Sequence, residues 1–236
     1  MLASAHQPHF FPWPLYFLKI LKSDYFVLLD DVQYRKNYFQ NRCQILNQEN
    51  NAPTWLTIPV KKKSSSKSRI NEIVFSEKFN KNSILESISK SYSTSPYFEQ
   101  IFPDLKKILL ADHKNLCELN IDSLMWCLDK LDIKTKILIS SQLHLLRTYD
   151  PSVRLINICK YLNADEYLAG SGGLNYMDTD LFKTSNIKIS WFDAKIEANQ
   201  YDQNSEFFIP GLSILDMFFN IGFEESTNIL HRNKEI

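Results

Sequence analysis

The sequence lacks most of the features that would mark a specialised chain. Across 236 residues, 27 Lys and Arg are balanced by 27 Asp and Glu, so the global positive charge of a typical nucleic-acid binder is absent and no DNA partner is expected. Any anion site must then be local. Only four cysteines occur, Cys43, Cys117, Cys127 and Cys159, and none forms a CxxC pair. They fall in stretches that read as strand or helix, which predicts reduced core thiols and a cytoplasmic setting. No uncharged apolar run approaches the roughly 18 residues that a membrane span needs, and no basic region precedes an apolar stretch at the start. The expectation is a soluble chain with neither export nor membrane insertion. Glycine is scarce as well, at five residues. The Gly-Lys-Ser/Thr ending of a P-loop, the dinucleotide fingerprint and the G-x-S-x-G elbow are all missing.

What is present is apolar content, 44% hydrophobic and 13% aromatic, enough for the core of one large domain over 1–236. Leu2–Ala5 reads as a short buried strand ending at His6. Three prolines then force a turn, and Pro14 suits the first turn of a helix carrying Leu15, Leu18 and Leu21 on one face, with Lys19 and Lys22 off it. Tyr25–Leu29 is an apolar run of the kind covered on both faces. Strands over 136–140, 166–169 and 187–192 and a helix over 153–162 repeat the alternation. Five strands alternating with helices predict a doubly wound, mainly parallel α/β sheet of Rossmann-like layout. Trp55–Val60 reads as a further strand. The basic loop Lys61–Arg69 and helices over 83–91 and 115–131 form a loop-plus-helical insertion spanning 61–135 that caps the sheet.

In such sheets ligands bind beyond the carboxyl ends of the strands, which singles out three constellations. The first is His6-Gln7-Pro8-His9-Phe10-Phe11-Pro12-Trp13-Pro14, where His6 is a candidate acid/base or oxyanion donor and Gln7, His9 and Trp13 are candidate contacts beside a helix N-terminus. It can equally be a stiff, packed turn. The second follows the second strand. Asp30 and Asp31 are candidate proton acceptors, weak metal ligands or caps, and Gln33, Lys36, Gln40, Asn41 and Arg42 are candidate substrate contacts. Arg42 and Lys36 suit phosphate. Between Arg35 and Arg69 eight basic residues face one acidic residue, Glu49, so this segment is strongly cationic within a neutral chain.

The third is Gly170-Ser171-Gly172-Gly173 with Tyr176, which holds three of the five glycines. Bare N–H groups after a strand can cradle a phosphate or carbonyl, and glycine also serves a tight turn. Near the C-terminus, Ser213 and Asp216 are spaced as a capping box with Asp in place of Glu, and Gly222 reads as the helix end. Tyr201 and Gln203 are candidate pocket residues.

The His-x-x-His spacing resembles the phosphate signature of nucleotidylyltransferases, whose usual form is His-x-Gly-His; here Pro8 stands at the glycine position. Taken together, His6-Gln7-Pro8 with Phe11-Pro12-Trp13, Leu29–Gln33, Gln40-Asn41-Arg42, Trp55–Val60, Tyr97-Phe98, Tyr167–Gly173 with Tyr176, and Leu212-Ser213 with Asp216 resemble the WbqC-like protein family across nearly the whole chain. The family pattern has asparagine where this chain has His9. The resemblance implies association with bacterial O-antigen and surface-polysaccharide gene clusters. It also implies transfer of an acyl or aminoacyl group, glycyl included, onto a nucleotide-linked amino sugar. ATP-dependent nucleotidylyl transfer and non-catalytic nucleotide-sugar binding are the alternatives, with ATP or an activated acyl compound as the implied donor.

Overall fold

The computed structural model describes residues 1–61, 68–193, 200–205 and 207–234, so Lys62, Lys63 and Lys67 of the basic loop lie outside the described residues. The chain opens with β1 (Leu2–His6), α1 (Pro14–Leu21) and β2 (Tyr25–Leu28). A hairpin follows, β3 (Arg42–Asn47) against β4 (Ala52–Thr57), and then α2 (Lys81–Tyr92), α3 (Phe98–Leu110) and α4 (Leu116–Lys130). The second half runs β5 (Lys136–Ile139), α5 (Pro151–Leu162), β6 (Glu166–Gly170), α6 (Thr179–Thr184), β7 (Lys188–Phe192) and α7 (Ile214–Arg232).

Five strands form one sheet in the order β5-β2-β1-β6-β7, with every neighbouring pair parallel. They are the five strands that the apolar runs predict, and the alternation with helices produces the doubly wound arrangement. Winding proceeds from β1 outward through β2 to β5, then returns across the sheet to β6 and β7. The strand order therefore reverses between β1 and β6. Side-chain alternation divides the core accordingly. Phe26 and Leu28 join the cluster of α1, α4, α7 and the hairpin, while Ala3, Ala5, Val27, Tyr167 and Ala169 join α5 and α6. Both faces are covered, as parallel sheets require.

Local signals fix the helix starts. Asn80 accepts the Asn82 N–H at 2.9 Å, Asn115 accepts the Glu118 N–H at 2.9 Å, and Asp150 accepts from Ser152 and Val153 at 2.8 and 3.0 Å. Pro14 occupies the first turn of α1, where its missing donor costs nothing.

The sequence expectations hold no counterpart of β3, α3 or α6, and two further elements differ in extent. The strand expected over Trp55–Val60 runs over Ala52–Thr57 and pairs antiparallel with β3 outside the main sheet. Helix α3, with Phe98, Ile101, Leu105 and Leu109 buried, contains Pro103, whose usual role as a breaker masks the periodicity. At Gly222 the backbone leaves helical geometry (φ 76°, ψ 174°), but the helix resumes and continues to Arg232.

A Cβ at Gly222 would lie 2.7 Å from Tyr97 Cε1, with φ in the left-handed range, whereas a Cβ at Gly172 would meet nothing within 4 Å. Gly222→Ala is expected to lower unfolding stability by about 1–3 kcal/mol in urea titration. Gly172→Ala should change it by no more than about 0.5 kcal/mol. Equal stability of the two variants would contradict this backbone geometry.

Candidate functional site

The carboxyl ends of β1, β2, β5 and β6 share one edge of the sheet and carry, in turn, His6, the Asp30-Asp31 pair, Ser140-Ser141 and Gly170. The reversal between β1 and β6 marks the position at which doubly wound folds form the crevice that binds ligands.

The loop after β1 is held from several sides. Tyr16 Oη donates to Gln7 O at 2.9 Å, and Gln40 Nε2 donates to Gln7 Oε1 at 2.8 Å. Gln40 in turn accepts the Arg35 N–H at 2.7 Å, and its carbonyl accepts from Asn120 Nδ2, also at 2.7 Å. Asn120 further reaches Pro8 O at 3.2 Å, and Ser213 Oγ donates to Phe11 O at 2.8 Å. Phe11 itself adopts φ 38°. The aromatic and proline content of the loop thus packs it against α1, α4 and α7.

This anchoring fixes His6. Its Nδ1 lies 3.1 Å from Gln7 O, a carbonyl that can only accept, so the ring hydrogen belongs on Nδ1 and Nε2 keeps its lone pair. Burial and the nearby Lys19 charge lower its pKa to about 3, so the imidazole is neutral throughout the physiological range. His9 is different. It is fully buried in a cage of His6, Trp13, Tyr16, Tyr38 and Phe39, and neither ring nitrogen has a hydrogen-bond partner. Burial holds its pKa well below the ordinary histidine value. His9 therefore forms part of the packed wall behind His6 and does not project into the crevice.

The two aspartates have separate environments. Asp30 is buried and accepts from Ser141 N (2.9 Å), Ser141 Oγ (2.6 Å) and Asn71 Nδ2 (3.1 Å), which ties the end of β2 to the end of β5. Asp31 pairs with Arg154 and accepts from Ser140 Oγ at 2.6 Å. Burial raises its pKa, but the bonds from Arg154 and Ser140 and the Arg154 charge outweigh that and hold it below the usual carboxylate value. Asp31 faces a cavity of about 420 Å³ lined by Arg69, Arg147, Arg154, His144 and Asn71 among others. Three arginines against one aspartate in the lining make this cavity cationic on balance, and its volume suits a small ligand. None of these basic residues stands out in the sequence except Arg69. The signal that could have found the rest is the position of Ser140-Ser141, directly at the end of a strand expected at this edge.

At the crevice itself, Gly170 ends β6 and a 3-10 turn spans Ser171–Asn175. None of the three glycines has positive φ, so left-handed geometry does not account for the cluster. Gly173 is required by packing, because a Cβ there would come within 2.7 Å of Met177 Sδ and 3.2 Å of Trp191. The crevice also holds Lys19, which the sequence reading places off the apolar face. Its spacing of four from Leu15 turns it inward, and it is buried with Nζ 3.1 Å from Ala5 O.

The remaining candidates are dispersed. Gln33 bridges to Arg69, Lys36 is exposed, and Asn41 donates to Ile58 O at 3.0 Å, a structural bond. Arg42 stacks over Trp55 at 3.9 Å with its Nε unpaired, and Trp13 and Trp55 both pack on Phe39. Tyr176 is exposed beyond the 3-10 turn. Ser213 caps α7 through Leu215 N at 3.3 Å, but Asp216 does not complete a capping box. It is buried and accepts from Tyr201 Oη at 2.8 Å. Tyr201 and Gln203 therefore turn into the core, Gln203 bonding to Ile209. A more capacious cavity of about 590 Å³ lies between the β3-β4 hairpin and α2, and no residue of the parallel sheet lines it.

Removing the buried Asp30 carboxylate breaks three part-buried hydrogen bonds that join two elements, so Asp30→Ala is expected to cost about 2–3 kcal/mol in denaturant unfolding. A loss under about 1 kcal/mol would mean that Asp30 is not the clamp between β2 and β5. Burial raises the Asp216 pKa to about 6 from an ordinary 3.8, despite bonds from Tyr201 and Tyr92. The folded state therefore binds this proton more tightly than the unfolded chain, and the associated stability is present below about pH 4 and lost as pH rises through 6. Asp216→Asn should gain about 3 kcal/mol relative to wild type between pH 4 and pH 7. Parallel pH profiles of the two proteins would exclude a neutral Asp216.

The model of the WbqC-like protein family matches residues 7–228. An uncharacterized protein of Mycobacterium tuberculosis, Rv1507c, is 31% identical over 219 residues, covering 92% of this chain and 93% of that protein. No solved structure matches the chain. With a family match from the first loop to the last helix and a relative aligned over nearly its full length, the chain belongs to the WbqC-like protein family.

Proposed function

We propose that the chain is a cytoplasmic transferase of bacterial surface-polysaccharide synthesis, joining an acyl or aminoacyl group, glycyl included, to the amine of a nucleotide-linked amino sugar. The observation that carries this reading is the cavity at the strand ends, lined by Arg69, Arg147 and the Arg154–Asp31 pair, one strand away from His6. Guanidinium groups grip phosphate through paired N–H bonds, so the cavity suits the phosphates of the sugar nucleotide. Trp13, Phe39 and Trp55 form a run of packed rings with Arg42, a surface suited to a base or to the apolar face of a sugar.

In the reaction, the amine nitrogen attacks the acyl carbonyl, the donor's leaving group departs and the amine surrenders a proton. His6 Nε2, with its free lone pair, accepts a hydrogen bond that orients the amine while the proton leaves with the donor's leaving group, and Gly170–Gly173 supply backbone N–H groups for the oxyanion. Asp31 holds Arg154 in place, a positioning role. Asp30 is fully engaged in binding β5. The O-antigen context rests on the family resemblance.

Nucleotidylyl transfer from ATP is the less favoured enzymatic reading, because the second histidine of His-x-x-His is enclosed by aromatic rings.

The test is incubation with UDP-, dTDP- and GDP-linked amino sugars and thioester, aminoacyl-tRNA or ATP-activated donors, with the amide product read by mass spectrometry. Turnover by wild type should fall about 10²-fold in His6→Ala, and Arg147→Ala should chiefly raise KM for the sugar nucleotide. Full activity in His6→Ala would refute the assigned role. Pyrophosphate release from ATP with a carboxylate would transfer the assignment to nucleotidylyl chemistry, and saturable sugar-nucleotide binding without turnover would make the chain a binding protein.

A further inference from the structure

Lys19 is 6% exposed, yet its ammonium has found a single acceptor, the Ala5 carbonyl at 3.1 Å. An ammonium carries three N–H donors and prefers an anionic partner when desolvated. Among the described residues no carboxylate pairs with it, and burial alone lowers its pKa, to about 7. A charge placed so is unfavourable for folding unless something outside the chain completes it. Its location is specific: Ala5 is the penultimate residue of β1, and the ammonium projects toward Gly170 at the end of β6, across the point where the strand order reverses.

Gly170 supplies an independent observation. Its backbone (φ −76°, ψ 161°) is accessible to any residue, and among the described residues a Cβ built on it would meet only Lys19 Nζ, at 3.9 Å. Neither conformation nor packing therefore demands glycine here, in contrast to Gly173. What glycine leaves, among the described residues, is space in front of the ammonium that a side chain would fill. His6, whose neutral imidazole responds to the Lys19 charge, borders the same place.

We infer that Lys19 and the open face of Gly170 form an oxyanion cradle at the β1/β6 reversal, taking a terminal phosphate or carboxylate of a small-molecule ligand. The cradle lies apart from the arginine cavity at the β2/β5 end, so the edge offers two anion positions. It requires an anionic ligand whether the chain is a transferase or a binding protein.

The test is calorimetric titration of the full chain with inorganic phosphate, inorganic pyrophosphate and acetate, without turnover, so failure of the transferase reading does not affect it. At least one of the three is expected to bind wild type and to bind Lys19→Met at least tenfold more weakly, while Lys22→Met binds as wild type does. Lys19→Met should melt no lower than wild type, since it loses no ion pair, and Gly170→Val should weaken binding tenfold or more by filling the space. Binding of the phosphates alone identifies a phosphate ligand, and binding of acetate alone a carboxylate. Equal affinity in wild type and Lys19→Met, or no binding of any of the three to wild type, overturns the cradle. If Lys19→Met does not fold, unaltered binding by Gly170→Val overturns it.

Discussion

The candidate site depends on a relay of buried amides, Asn120 to Gln40 to Gln7. Gln40 and Asn120 are wholly inaccessible to water, so each of their bonds is made in a medium where an unmade one is costly. Through them α4, the segment before β3 and the loop after β1 are fixed relative to one another. His6 gains its tautomer, and the loop its shape, from that fixation together with Tyr16 and Ser213.

Around this relay the sheet edge separates its charges. Asp30 accepts from three donors and serves to join strands, whereas the adjacent Asp31 is matched to an arginine and faces a cavity. Neighbouring carboxylates thus acquire different duties because successive residues leaving a strand point in different directions. Lys19 shows the opposite condition, a buried cation without a counter-charge at the sheet's reversal point. A fold that keeps such a group forgoes the stability an apolar side chain would supply there, a trade common at sites that bind ligands.

The sheet was legible in the sequence because continuous apolar runs punctuated by Pro, Asp and Gly have few other solutions in a chain of this composition. The helix starts were less so: the apolar spacing marks helices from Ser83 and Val153, whereas the caps are Asn80 and Asp150, a few residues earlier. Less legible was α3, whose burial pattern is interrupted by Pro103, and β3, whose polar residues Arg42 and Gln44 alternate with buried Cys43 and Ile45. A pattern of that kind invites a reading as a binding segment when its pairing partner is unknown.

By itself, then, the sequence determined the five strands, their helices and the residues that leave the strand ends, because those follow from local periodicity and chain punctuation. It also determined the family, through several motifs in one order. Tertiary structure alone decided the use of each polar residue. That His9 is caged while His6 borders the crevice, that Asp216 turns into the core, and that Arg154 pairs with Asp31 in a cavity also lined by Arg69 and Arg147 are all consequences of contacts between segments distant in sequence. Such contacts set burial and partner together, and it is burial and partner that fix the charge and the chemistry of a side chain.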